Sequence, residues 1–222
     1  MAPERIEQAT LALLHRGPDQ QDVYRSPSID LGAVRLKIID LEGGDQPMVT
    51  EDGDTVIAFN GEIYNHAELR RELESRGYRF RSRCDTEVVL QAFREWDTGC
   101  FSRLRGMFAV ALWIESRRRL VLGRDRLGIK PLYFYRRGAD LYFGSELKAI
   151  LEHPEVNRRL DPEGLNYYLS LNYVPCPYTL VEGIRKVPPG HWLEWRDGQL
   201  RWEAYWRLEF RPQPHWTLQS AT

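Results

Sequence analysis

Apolar residues recur along the chain with two spacings, and the switches between them predict its elements. Between 3 and 14, Ile6, Leu11, Leu13 and Leu14 lie behind Pro3 and an acidic first turn, which predicts a helix. His15-Arg16-Gly17-Pro18-Asp19 breaks it, because proline cannot continue a helix. Residues 29–39 read as a strand or strand pair that ends in the polar loop around Gly43-Gly44. The run Thr55-Val56-Ile57-Ala58-Phe59 predicts a strand, and Leu69 and Leu73 mark a helix over 67–73. Asn65 is placed to cap that helix, with Glu68 close to a capping box and Gly77 ending it in a left-handed position.

Asp85 or Thr86 caps a further helix that carries Val88, Val89, Ala92 and Phe93 and stops near Gly99. Short strands are predicted over 107–114, 120–123, 132–135 and 141–143, and their closeness in sequence favours antiparallel pairing. Helices follow over 146–151 and 162–171, the second with Asp161 as cap and Pro162 at its first position. Residues 192–195 and 200–206 form a hairpin about Asp197-Gly198. After Leu208 the chain becomes polar and proline-containing, as a linker or tail does. The whole pattern is that of an α+β domain with its helices segregated from its sheets.

One stretch carries candidate chemistry. In Phe59-Asn60-Gly61-Glu62-Ile63-Tyr64-Asn65, an amide, a glycine and a carboxylate fall between the predicted strand and helix. There Asn60 would donate from its side chain, Gly61 would let a backbone N–H approach a ligand, and Glu62 would receive an ammonium. The alternative is a hairpin turn, since Asn-Gly after a β-run is a strong turn signal.

Composition narrows the function classes. The 222 residues are 42% hydrophobic and 28% charged, ordinary for a globular protein, and long enough for one domain with a proper core. A net charge of −1 argues against nucleic acid or an anionic membrane as partner. The basic clusters at 79–83 and 117–119 read as solvated faces and turns. No apolar run reaches the length of a membrane span, and Cys84, Cys100 and Cys176 lack metal-like spacing. A cytoplasmic location is expected.

Eight segments then occur in order. They are His15-Arg16-Gly17-Pro18-Asp19, 35–41, Gln46-Pro47-Met48, Asn60 to Asn65, Asp85-Thr86-Glu87-Val88, 105–109, 124–133 and Gly144-Ser145-Glu146-Leu147-Lys148-Ala149. Together they resemble the glutaminase domain of the glutamine-dependent asparagine synthetases, a class II glutamine amidotransferase, over about 9–208. The resemblance implies an N-terminal-nucleophile hydrolase fold: an α-β-β-α sandwich of two mainly antiparallel sheets, here with its first strand missing. It divides the chain into an amidotransferase domain, 1–208, and a linker, 209–222, towards a synthetase domain. It implies that Arg35 clamps the α-carboxylate of glutamine and that Glu62 and Asp85 receive its ammonium. Backbone groups near Ile38 and Ile39 would line the pocket, and Asn60 with the Gly61 N–H would form the oxyanion hole.

The departure from the pattern is at the start. Family members begin with a processed Cys-Gly-Ile whose thiol is the nucleophile and whose amine is the base. This chain begins Met1-Ala2-Pro3, and no Ser-Gly-Gly-x-Asp-Ser pyrophosphate loop follows. Glutamine is therefore expected as ligand without hydrolysis, and ATP and Mg2+ only for the absent synthetase part. Cys84, Cys100 and Cys176 are expected to be structural. Three functions stay open: a glutaminase fragment, a nucleophile-less glutamine-binding module, and a domain that docks on a separate synthetase.

Overall fold

A computed structural model describes residues 3–37, 40 and 43–210. Its centre is a six-stranded antiparallel sheet in the order β11-β10-β6-β5-β4-β3. The strands are β3 (Met48–Val49), β4 (Thr55–Ile63), β5 (Gly106–Ile114), β6 (Arg119–Arg124), β10 (His191–Arg196) and β11 (Gln199–Ala204). Strand β5 shows how the sequence sorts the two faces. Phe108, Val110, Leu112 and Ile114 enter one apolar cluster, whereas Ala109, Ala111 and Trp113 enter the other, as a two-residue period requires.

The large side chains of β5 pack against α2 (His66–Ser75) and α3 (Asp85–Trp96). Leu69 and Leu73 of α2 are buried, as are Val88, Val89, Ala92 and Phe93 of α3. Gly77 does end α2 in a left-handed position, with φ 94°. There the Tyr78 N–H donates to Leu73 O at 3.1 Å and the Gly77 N–H to Glu74 O at 3.0 Å, which satisfies the last carbonyls of the helix.

The opposite face carries a second layer in two pieces. One is the hairpin β1 (Gln20–Arg25) and β2 (Asp30–Arg35); the other is a three-stranded sheet, β8-β7-β9, of β8 (Asp140–Gly144), β7 (Tyr133–Arg137) and β9 (Ile184–Lys186). Leu31 of β2 and Phe134 of β7 join the same cluster above the six-stranded sheet. Outside this layer lie α1 (Pro3–Leu11) and α5 (Leu147–Leu151). The four layers are those of the expected sandwich, with its second sheet split.

Several boundaries differ from the sequence reading. The first helix stops at Leu11, and a short 3-10 turn, Leu14–Arg16, replaces its last turn. Strand β1 was not anticipated; its polar sequence, Gln20-Gln21-Asp22-Val23-Tyr24-Arg25, leaves it half-buried. Asn65 makes no capping bond; its amide instead donates to Arg103 O and accepts from Arg105 N, at 3.1 and 2.9 Å. Neither Asp85 nor Thr86 is the cap of α3, whose cap position is Cys84. Arg119 is buried rather than solvated, pairing with Asp97 at 2.6 Å and Glu194 at 2.5 Å. Helix α6 (Pro162–Leu171) is capped as expected, Asp161 accepting from Glu163 N and Gly164 N. The β10–β11 hairpin turns at Asp197 and Gly198, both at positive φ. Residues 211–222 lie outside the described residues.

Candidate functional site: a cleft between the two pieces of the second layer

Between β2 and β8 runs a cleft of about 370 Å3. Its floor is the small-residue face of the central sheet, Ala58, Ala109 and Ala111, and at one end stand Asn60, Glu62 and Asp85. The odd residues of β4, Ile57, Phe59 and Ile63, belong to the helix-side cluster. The even ones, Asn60 and Glu62, therefore share the cleft face with Val56 and Ala58.

This corrects the placement of the Asn60-Gly61-Glu62 motif. It is neither a hairpin turn nor a strand-to-helix junction, but lies within β4 near its end, paired with Ala109, Phe108 and Met107 of β5. Gly61 is required by crowding across that pair: a Cβ there would lie 2.3 Å from Met107 O and 2.8 Å from Phe108 Cα. Alternation of Ile57, Phe59 and Ile63 was the signal that the strand continues.

Each expected residue has a distinct setting. Asn60 donates from Nδ2 to Ser145 Oγ at 3.2 Å. Asp85, buried in the first turn of α3, accepts the Ile63 N–H at 2.9 Å, tying the helix to the end of β4. Burial raises its pKa, and the Ile63 N–H and nearby His66 oppose that rise. Glu62 is also raised, first by burial and then by the Asp85 charge, with His66 and Lys130 pulling it down. A cation placed beside these two carboxylates would favour their charged forms and lower both values.

Arg35 ends β2 with its side chain buried. Its guanidinium donates to Asp40 O at 2.9 Å and approaches the exposed Asp45 carboxylate at 3.5 Å. A Cβ at Gly44 would meet that guanidinium at 2.3 Å, so the loop lies directly on it. Ile38 and Ile39, expected to line the pocket, lie outside the described residues. The structure thus brings Arg35, Asn60, Gly61, Glu62 and Asp85 to one cleft.

It adds four groups that sequence reasoning did not single out. Ser145 holds the Asn60 amide. Gln46 is buried; its Oε1 accepts the Phe59 N–H at 2.7 Å and its Nε2 donates to Thr86 at 3.3 Å, joining β4 to α3. Lys130 lines the cleft on a loop built around Asp125, whose carboxylate accepts the N–H groups of Leu127, Ile129 and Lys130. Arg124 braces the same loop through Gly128 O and Lys130 O. The segment 124–133 was noticed only as a motif, because a buried Arg-Asp pair has no periodic signature.

Among the described residues no cysteine lines the cleft. Cys84 is buried, with burial raising its thiol pKa, and its Sγ lies 3.0 Å from Ser82 Oγ. Cys100 is fully buried and also raised. Cys176 is exposed rather than packed into the core.

The glutamine amidotransferase domain family matches residues 1–206. The chain belongs to this family. It is 41% identical to asparagine synthetase [glutamine-hydrolyzing] 3 of Bacillus subtilis, over 93% of this chain and 34% of that protein. Asparagine synthetase [glutamine-hydrolyzing] 1 of the same organism is 40% identical, over 94% of this chain and 33% of that protein. The chain therefore spans about a third of the length of these curated relatives. Among solved structures, glutamine phosphoribosylpyrophosphate amidotransferase from B. subtilis, complexed with ADP and GMP, superimposes with a TM-score of 0.55 at 22% identity. That overlap covers 79% of this chain and 34% of the other, and it establishes the shared N-terminal-nucleophile hydrolase fold. Among the described residues no helix is long and apolar enough to cross a membrane.

Proposed function

We propose that the Asn60 end of the cleft binds L-glutamine, as the amidotransferase part of an asparagine synthetase does. The observation that carries this is that the Arg35 guanidinium, the Asn60 amide and the Glu62 and Asp85 carboxylates line a single cleft. Glutamine presents a carboxylate, an amide and an ammonium. Arg35 takes the α-carboxylate in place of Asp45, an exposed partner at 3.5 Å that forms a weak ion pair. Glu62 and Asp85 take the ammonium. The Asn60 amide, already oriented by Ser145, and the Gly61 N–H face the side-chain carbonyl, where an oxyanion develops during hydrolysis.

Hydrolysis itself needs a nucleophile beyond the three thiols, since none of them lines the cleft. That favours, as a second reading, a module that binds glutamine or docks on a separate synthetase without releasing ammonia. In either case residues 1–208 act as the amidotransferase unit and 209–222 as its connection to a synthetase part, which would hold ATP and Mg2+. Calorimetric titration with L-glutamine, D-glutamine and L-glutamate tests the binding. One saturable site selective for L-glutamine, weakened in Glu62→Gln, is expected, and equal heats for the three ligands would reject it. Ammonia release, measured in the same samples, separates the two readings.

A further inference from the structure

On the helix side of the central sheet, away from the cleft, a second cavity of about 660 Å3 opens between α2, α3 and the β3–β4 turn. Four arginines line it, Arg76, Arg79, Arg81 and Arg94, against two glutamates, Glu51 and Glu95. The extended segment between the two helices brings two of these arginines there. Tyr78 and Phe80 pack against the helix-side core, and the buried Glu87 carboxylate accepts the Arg81 and Ser82 N–H groups at 2.9 and 2.7 Å. Side chains alternate along extended backbone, so Arg79 and Arg81 point away from the core, and both are exposed.

Three of the guanidinium groups are anchored. Arg76 pairs with Glu95 at 2.8 Å, Arg94 pairs with Asp52 at 2.7 Å, and Arg81 Nη2 donates to Val49 O at 2.7 Å. A guanidinium carries five N–H donors, so each keeps some for an occupant. The Arg79 side chain makes no hydrogen bond or ion pair among the described residues. Arginines on a surface are by themselves a solvated face, and Gln91 is what distinguishes this one. It is 7% exposed and lines the cavity. Arginine only donates, so the contact from Arg94 Nη1 at 3.2 Å fixes the amide oxygen. The amide NH2 is then left towards the cavity, and no described residue accepts from it.

A nearly buried donor requires an acceptor. The uncommitted groups around it are donors too, apart from the exposed Glu51 carboxylate at the rim. The occupant therefore accepts several N–H groups at once and carries negative charge. Its donors come from the end of α2, the extended segment and α3, and so do not lie in one plane as the two oxygens of a carboxylate do. A phosphate, with three acceptor oxygens and up to two charges, matches them.

We propose that this cavity binds a phosphate dianion, free or as the ester of a small molecule, through Arg79, Arg81 and the Gln91 amide. Arg76 and Arg94 supply flanking charge. The site is separate from the cleft and independent of glutamine binding.

The test titrates the full chain with inorganic phosphate, glucose 6-phosphate and succinate at constant ionic strength and follows backbone amide shifts. Saturable shifts at Arg79, Arg81 and Gln91, with Asn60 and Glu62 unmoved, are expected for both phosphates and not for succinate. The tighter of the two phosphates identifies the source. Arg79→Ala, which removes no contact within the protein, should weaken phosphate binding about tenfold or more. Arg71→Ala makes the same charge change on an exposed part of α2 outside the cavity and should leave binding unchanged. Glu51→Gln, which removes the like charge at the rim, should tighten it. No saturable binding, equal losses in the two arginine variants, equal shifts with succinate, shifts centred on the cleft, or no gain in Glu51→Gln would overturn the proposal.

Discussion

The two faces of the central sheet are made by the same strands and differ where β4 and β5 pass beneath the cleft. Towards α2 and α3, β5 presents Phe108, Val110, Leu112 and Ile114, which interlock with fully buried Leu73, Val88 and Phe101. Towards the second layer it presents Ala109, Ala111 and Trp113, and the space the two alanines leave is part of the 370 Å3 cleft. One face is filled along its length; the other is filled except over Ala58, Ala109 and Ala111, where the cleft lies.

The contrast is broken most severely at the filled face. Phe108→Ala should destabilise the chain by about 3–5 kcal/mol through lost burial and a residual cavity, read by denaturant unfolding. Adding volume separates the faces more cleanly. Ala92→Val, at a fully buried helix position, should cost about 1–3 kcal/mol by overpacking. Ala58→Val, on the cleft floor, should change stability by less than about 1 kcal/mol. Equal costs at the two sites would mean the cleft is not open.

At the charged end of the cleft the expected effects fall on binding. Glu62→Gln removes one charged partner of the ammonium, a loss of about 1.5–3 kcal/mol, or about ten- to a hundredfold in Kd. The raised pKa values of Glu62 and Asp85 fix the sign of the pH dependence. An ammonium binds the ionised pair, so affinity should fall as pH drops through the raised values, above the ordinary carboxylate range, and binding there should release protons. The unliganded chain should behave oppositely. Its folded state holds those protons more tightly than the unfolded chain, so this contribution to stability is lost as pH rises through the same window. Asp85→Asn should flatten that slope. Calorimetry in buffers of different ionisation enthalpy, with thermal unfolding across pH, measures both.

The smallest effect lies far from the cleft. Asp161→Ala should cost about 1 kcal/mol through loss of the α6 cap, a fall in Tm of about 2–4 °C, with glutamine binding unchanged.

Most elements were legible because they rest on local signals: Asp161-Pro162 opens α6, Gly77 closes α2, and Asp197-Gly198 turns the last hairpin. The limits of β4 were not, because Asn-Gly imitates a turn and the cross-strand crowding that demands Gly61 involves Met107, 46 residues away. Strand β1 escaped notice because its pairing with β2, rather than its own polar sequence, makes it a strand. Asn60 and Glu62 stood out in their own stretch of sequence, whereas Arg35 and Asp85 were found through family resemblance. No periodicity could bring together residues drawn from β2, β4 and α3. Ser145 and Gln46 act through contacts with Asn60 and Phe59 that only the fold creates.

The central claim, that the cleft face is the glutamine face, is tested most directly by mapping backbone amide shifts during titration with L-glutamine. Saturable shifts are predicted at Arg35, Asn60, Gly61, Glu62, Asp85 and Ser145, with Leu69, Leu73 and Phe93 on the filled face unmoved. Shifts centred on α2 and α3, or none at saturating glutamine, would contradict it.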